Sequence, residues 1–348
     1  MNNDLNYYIY LKKIRKIFKK KICLFFDHQK CDSEIIRSHT IQKRRALDKI
    51  AKDSHVYGYM NSKKFEQFSN PLSIQKISIN EASTFYGFCK KHDNELFALL
   101  DDLDYYPTLK QAYLITYRTL IRELYTKNAA VNSEPIMNEV FAQIPDISDK
   151  DIFLDNMKGH QDGTKRGLSY LYYVADKMFN SIIQDNFQNI QYFVIELNRF
   201  PEIMSSGAFM PEYDYSKNKI QDLYRDKVTS WLALNIFADS TKGIISFTWL
   251  NDKVIEKFLL TLISSNDMTN KIVELAFTYI ENTFFSIDWY DKLSITKKSR
   301  IEKMVHDFLH YNIETREYTG LRSNNLQYVN WEILKVTTNN DEISKFYT

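Results

Sequence analysis

The chain is poor in cysteine, glycine and proline: its 348 residues hold three, eight and six of them. Three cysteines, an odd number, make no disulfide framework and fit a reducing compartment. The scarcity of glycine and proline, set against an abundance of Asn, Ile, Lys, Tyr and Phe, suggests an AT-rich coding source. No run of eighteen apolar residues occurs, so no membrane span is expected. The opening MNNDLNYYIYLKKIRKIFKKK carries its charges after its apolar residues, the reverse of a secretory signal, and the expected location is the cytoplasm. No Gly-rich phosphate loop, nucleophile elbow or kinase signature appears, and no internal repeat is evident.

What is present is an ordinary globular composition, 44% hydrophobic and 26% charged, in a chain long enough for about two domains. The net charge of +2 hides a segregation. Residues 1–100 hold 19 Lys and Arg against 10 Asp and Glu, leaving 27 against 34 for the remainder, or +9 against −7. The basic positions cluster at Lys12, Lys13, Arg15, Lys16, Lys19, Lys20 and Lys21, and again at Arg37, Lys43, Arg44 and Arg45. Such a footprint suits a nucleic-acid backbone. The competing reading is a solvated amphipathic helix, because Leu11, Ile14, Ile17, Phe18 and Ile22 recur at helical spacing with the lysines opposite.

Between Cys23 and His92 lie all three cysteines and four of the seven histidines. Cys23 and Cys31 make one soft pair, and Cys89-x-x-His92 makes a second. Two such pairs far apart in sequence are the arrangement by which a small subdomain closes on one tetrahedral zinc. Two alternatives stay open at this level: His28 as a reserve ligand, and Cys31 paired with His39, which are also near in sequence.

The order of these features, a soft pair, then Ser-His-Thr-Ile-Gln-Lys around His39, then a soft pair opening a helix, resembles the HNH (ββα-metal, treble-clef) endonuclease superfamily over roughly the first 105 residues. The resemblance implies a structural Zn²⁺ on Cys23, Cys31, Cys89 and His92. It further implies His39 as general base and Asp93 as a ligand of a catalytic Mg²⁺ or Mn²⁺, with Asp27 or Asp32 as a further carboxylate. The seven-residue gap between Cys23 and Cys31 exceeds the family's usual knuckle, and Ser38 stands where many members carry an acid.

Along the rest of the chain the periodicity predicts a strand over 35–41, a short helix over 42–52, a turn or strand over 54–58 and a strand over 73–79. A helix is predicted over 92–103, with Asp101, Asp102 and Asp104 as a surface patch or linker start beyond it. A strong helix follows over 108–127 and another segment over 136–144, between Pro135 and Pro145. Gly159 to Gly167 reads as a turn and 168–184 as a helix. Strands are expected over 191–198, 231–238 and 243–250, with a long loop, PEIMSSGAFMPEYDYSKNKIQ, between the first two. Helices are expected over 252–264, 268–284 and 295–311. His306 and His310, at i and i+4, read as a surface pair.

The fold class that results is α+β: a small zinc-binding treble-clef domain over 1–105, then a larger domain over 106–348 of helices around a small antiparallel sheet. Two functions follow. One is a metal-dependent HNH-like nuclease cleaving nucleic-acid phosphodiesters, with deployment between phage and host as the setting suggested by analogy. The other is a non-catalytic zinc-finger protein that binds nucleic acid, or a protein partner through its acidic C-terminal part, as a sensor or adaptor.

Overall fold

A computed structural model describes residues 2–25, 31, 34–61, 72–142, 150–223, 228–309 and 326–347. Helix α1 (Asn2–Ile17) comes first, then strand β1 (Ser38–His39), a π-helical turn (Lys43–Leu47) and a single turn α2 (Asp48–Ile50). Strands β2 (His55–Asn61), β3 (Leu72–Ser78) and β4 (Thr84–Phe85) lead to helix α3 (Lys90–Asp101). Two 34-residue helices follow, α4 (Leu109–Ala142) and α5 (Lys150–Ile183). After them come β5 (Ile190–Leu197), β6 (Ile203–Phe209), β7 (Leu232–Ala238) and β8 (Gly243–Leu250). The last part holds α6 (Lys253–Ile263), α7 (Met268–Tyr279), β9 (Thr283–Phe285), α8 (Ile287–Lys292), α9 (Ile295–Leu309), β10 (Ile333–Thr338) and α10 (Asp341–Ser344).

The fold is therefore mixed, with ten α-helices among the described residues and an antiparallel sheet. Eight strands pair in the order β10-β5-β8-β7-β6-β9-β2-β3, and β1 pairs separately with β4. The sheet extends across residue 105: β2 bonds β9 through Tyr57 and Gly58 opposite Phe285 and Phe284. Strand side chains alternate between faces, and here both faces are covered. Phe193, Ile195, Leu234, Ile236, Phe247 and Trp249 pack with α6, α7 and α9 on one side. On the other side α4 lies across the strands, and the apolar row Leu171, Val174, Ala175 and Met178 of α5 packs behind it.

The layer between α4 and the sheet is polar. Thr116 bonds the Thr248 hydroxyl at 2.5 Å, Thr119 donates to Asn235 Oδ1 at 3.0 Å, and the Tyr105 hydroxyl meets Ser246 at 3.1 Å. Asn282 donates to Ser83 Oγ at 3.1 Å and to the Ser206 carbonyl at 3.0 Å. Buried hydroxyls and amides are tolerated because they satisfy one another.

Several expected boundaries move. The loop expected over 201–221 contains β6, a buried strand whose Ser-Ser-Gly composition looks like a turn in sequence. Small residues are required there: a Cβ on Gly207 would lie 2.6 Å from Ile280 Cγ2. The sheet is larger than expected for the same reason, since β6, β9 and β10 carry weak alternation and are recognisable only by their partners. The helix expected over 268–284 ends at Tyr279, and the chain turns into β9. Helix α4 runs through Pro135, which is exposed, a position where the lost backbone hydrogen bond is most easily tolerated. The stretch from Gly159 to Gly167 lies inside α5, not in a turn. Gly167 there faces the Lys127 side chain of α4, so close helix packing offsets the low helix propensity of glycine.

Candidate metal centre and the polar cluster beside it

The segment 86–90 is hydrogen-bonded to two others. Ile22 and Leu24 donate to the carbonyls of Tyr86 and Gly87 at 3.1 and 2.8 Å, while Ile36 donates to Phe88 at 3.2 Å and Lys90 to Glu34 at 2.9 Å. These bonds draw Cys23 onto Cys89, whose N–H donates to Cys23 Sγ at 3.4 Å. Cys89 is the N-cap of α3, and His92 sits in its first turn.

The ligand atoms of Cys23, Cys31, Cys89 and His92 all lie within 4.8 Å of one another. His92 Nδ1 is 3.4 Å from Cys23 Sγ, 3.7 Å from Cys31 Sγ and 3.3 Å from Cys89 Sγ. A tetrahedral zinc with sulfur and nitrogen ligands at ordinary bond lengths holds them about 3.6 Å apart, so the spacing fits the ion. His92 is buried and its ring lies 4.0 Å from that of Phe25, which fixes its orientation. Burial pushes the Cys23 thiol up to about 12, and a bound cation reverses this because coordinated thiols are deprotonated. The four residues thus fit a metal ion such as zinc. His39 is not among the converging ligands. His28, Asp27 and Asp32 lie outside the described residues, as do His310 and the side chain of His306.

His39 on β1 and Asp93 in the first turn of α3 both feel the charges of Arg118 and Asp101, but among the described residues they are not part of a group of ligand atoms that converges as the four soft ligands do. Burial, then the charges of Arg118, Lys43 and Arg37, lowers His39 to about 4, against the opposing pull of Asp101. The imidazole is therefore neutral at physiological pH, and its Nε2 is buried without a hydrogen-bond partner. Burial raises the Asp93 carboxyl above its ordinary value, and Arg118 opposes the shift. Arg118 itself, 4% exposed, donates to both Asp101 oxygens at 2.8 Å and lies 4.2 Å over the Phe97 ring. Gln42 donates to the same carboxylate at 2.5 Å.

Two of the aspartates expected to form a surface patch are thus ion-pair partners: Asp101 of Arg118, and Asp104 of Arg45. Asp102 is exposed. Arg118 was legible as a lone cation inside the apolar run Tyr113–Ile121 of α4, a pattern that asks for a buried partner.

The basic positions separate into two kinds. Lys19, Lys20, Lys21, Arg37 and Arg44 are exposed, and Lys43 is half-buried. Lys21 and Arg37 both lie 5.8 Å from the centre of the Tyr86 ring, and Arg37 also donates to the Tyr86 hydroxyl and, at 3.0 Å, to the Asn80 carbonyl. Arg45 instead bonds inward, to the Leu103 carbonyl at 2.7 Å and to Asp104 and Asp239. Among the described residues no helix is long and apolar enough to cross a membrane. No family profile, curated protein or solved structure matches this chain.

Proposed function

We propose that this chain is a zinc-stabilised nuclease of the ββα-metal kind, with His39 as the general base. The observation that carries the reading is the placement of His39 and Asp93 on the β1 strand and the first turn of α3, beside the Cys₃His cluster and under the influence of the same Arg118 and Asp101. A strand pair followed by a helix whose first turn supplies metal ligands is the arrangement the resemblance implies.

In this reading the neutral imidazole of His39 accepts a proton from water. The oxygen so activated attacks phosphorus as the bond to the leaving oxygen breaks, and solvent protonates the leaving group. Asp93 would be the carboxylate that holds a Mg²⁺ or Mn²⁺ ion, since Asp101 is committed to Arg118. Such an ion, when bound, neutralises charge on the phosphate and leaving oxygen. Exposed Lys19, Lys20, Lys21, Arg37 and Arg44 would contact the backbone of the nucleic acid.

The second reading, a non-catalytic zinc protein that binds nucleic acid or a protein partner, is favoured by two observations: His39 Nε2 is enclosed, and its pKa, lowered to about 4, makes it a weak base at neutral pH. Substitution separates the two. His39→Ala is expected to keep zinc content and melting temperature nearly intact while abolishing cleavage of DNA or RNA supplied with Mg²⁺ or Mn²⁺. Loss of zinc and fold on that substitution, or absence of cleavage by the unaltered protein, removes the nuclease reading and leaves the second.

A further inference from the structure

A cavity of about 40 Å³ lies where the segment after β1 meets α4 and β7, lined among others by Thr40, Gln42, Arg45, Arg118, Asn235 and Asp239. Three of these residues are more than nine-tenths buried and carry a polar atom with no hydrogen-bond partner: Thr40 Oγ1, Arg118 Nε and Asn235 Nδ2. Two of the three are donors only, and the hydroxyl donates as readily as it accepts.

The neighbouring groups show which ends face the cavity. Asn235 Oδ1 lies 3.0 Å from the Thr119 hydroxyl, whose one proton also faces the Ile115 carbonyl at 2.9 Å; in this amide orientation the NH₂ is the unbonded end. Arg118 is held by its Nη2 bonds to Asp101 and by the Phe97 ring, leaving Nε idle. The carboxylate that lines the cavity, Asp239, and the nearby Asp101 are already occupied. Asp239 accepts from the N–H groups of Tyr105 and Ser240 at 2.7 and 2.8 Å and pairs with Arg45 at 3.5 Å. Both oxygens of Asp101 accept from Arg118. What the site has in surplus is donors, two of them on rigidly held side chains.

Folded proteins seldom leave several buried donors together without an acceptor. One water accepts about two hydrogen bonds and brings two protons of its own to satisfy. A single oxyanion accepts all three and adds nothing to donate. We propose that this cavity is a binding site for a small oxyanion, a phosphoryl or carboxylate group, held by Thr40, Arg118 and Asn235. The cavity has room for one such headgroup.

The proposal does not rest on the nuclease reading, because His39 is not among the lining residues. The probes are inorganic phosphate and acetate, added to the full zinc-loaded chain and followed by melting temperature and titration calorimetry. Saturable binding with a rise in melting temperature is expected from at least one, and which one responds tells phosphoryl from carboxylate. Thr40→Val, which keeps the shape and removes the hydroxyl, is expected to weaken binding about tenfold. Asn235→Asp keeps the acceptor for Thr119, replaces a donor by a negative charge and is expected to abolish binding. His39→Ala is expected to bind as the unaltered protein does, even if it has lost cleavage. Independently of any variant, crystals soaked in arsenate are expected to show its anomalous signal between Thr40, Arg118 and Asn235. No binding of either anion at tens of millimolar, wild-type affinity in both cavity variants, or arsenate located elsewhere would overturn the proposal.

Discussion

His92 shows how much a single side chain decides. Its Nδ1 is within 3.7 Å of three sulfurs, so removing the imidazole or one thiol leaves an open coordination position in a buried site. Cys89→Ser and His92→Ala are each expected to bring zinc well below the one equivalent expected of the unaltered protein, measured by elemental analysis, and to lower stability by several kcal/mol. His39 acts at the same scale through its charge. Its folded pKa, about 4, lies below the ordinary value near 6.5. The unfolded state therefore binds the proton first, and the stability this group contributes is full above about pH 6.5 and is lost as pH falls toward 4. Zinc ligands also protonate in acid, so the informative quantity is a difference. The unaltered protein is expected to lose stability more steeply than His39→Asn between these pH values, by an amount on the order of a few kcal/mol. Equal slopes in chemical denaturation would show that burial does not hold His39 neutral.

Strand β6 decides how the helices and sheet fit together. It pairs with β7 on one side and β9 on the other, and at its Gly207 the side chain of Ile280, just after α7, occupies the space a Cβ would need. Gly207→Val places branched carbon where none fits, and a cost of about 1–3 kcal/mol is expected from equilibrium unfolding. Gly163 is the contrast: nothing lies within 4 Å of a Cβ there, and Gly163→Ala within α5 is expected to raise stability by up to about 1 kcal/mol through helix propensity. The three glycines of α5, Gly159, Gly163 and Gly167, also explain why it reads in sequence as a turn followed by a shorter helix. Propensity is a local quantity, and packing along α4 overrides it.

At the scale of the whole molecule the charge segregation and the sheet cross each other. The basic first hundred residues supply β2 and β3 to a sheet whose other strands come from the acidic remainder. Binding of nucleic acid by the proposed basic surface is expected to weaken linearly in log salt. Replacing Lys19, Lys20 and Lys21 together with Gln is expected to reduce that slope by about 2–3. Arg45→Gln is expected to change stability more than the slope, since Arg45 is bonded to Asp104, Asp239 and the Leu103 carbonyl. An affinity indifferent to salt would remove the partner.

The sequence by itself determined the soft ligand set, because cysteine is so scarce that its positions carry the information. It also determined the three most apolar strands, β5, β7 and β8, whose composition needs no partner to be recognised, but only the first part of α4 and the last part of α5. The tertiary structure decided everything that depends on what lies opposite. It made a strand of the Ser-Ser-Gly stretch in β6, gave the surface aspartates Asp101 and Asp104 the partners Arg118 and Arg45, and brought Thr40, Arg118 and Asn235 to one cavity from three distant parts of the chain. The physical reason is the same in each case: a polar or small residue has no fixed preference until burial removes water and leaves its neighbours to satisfy it.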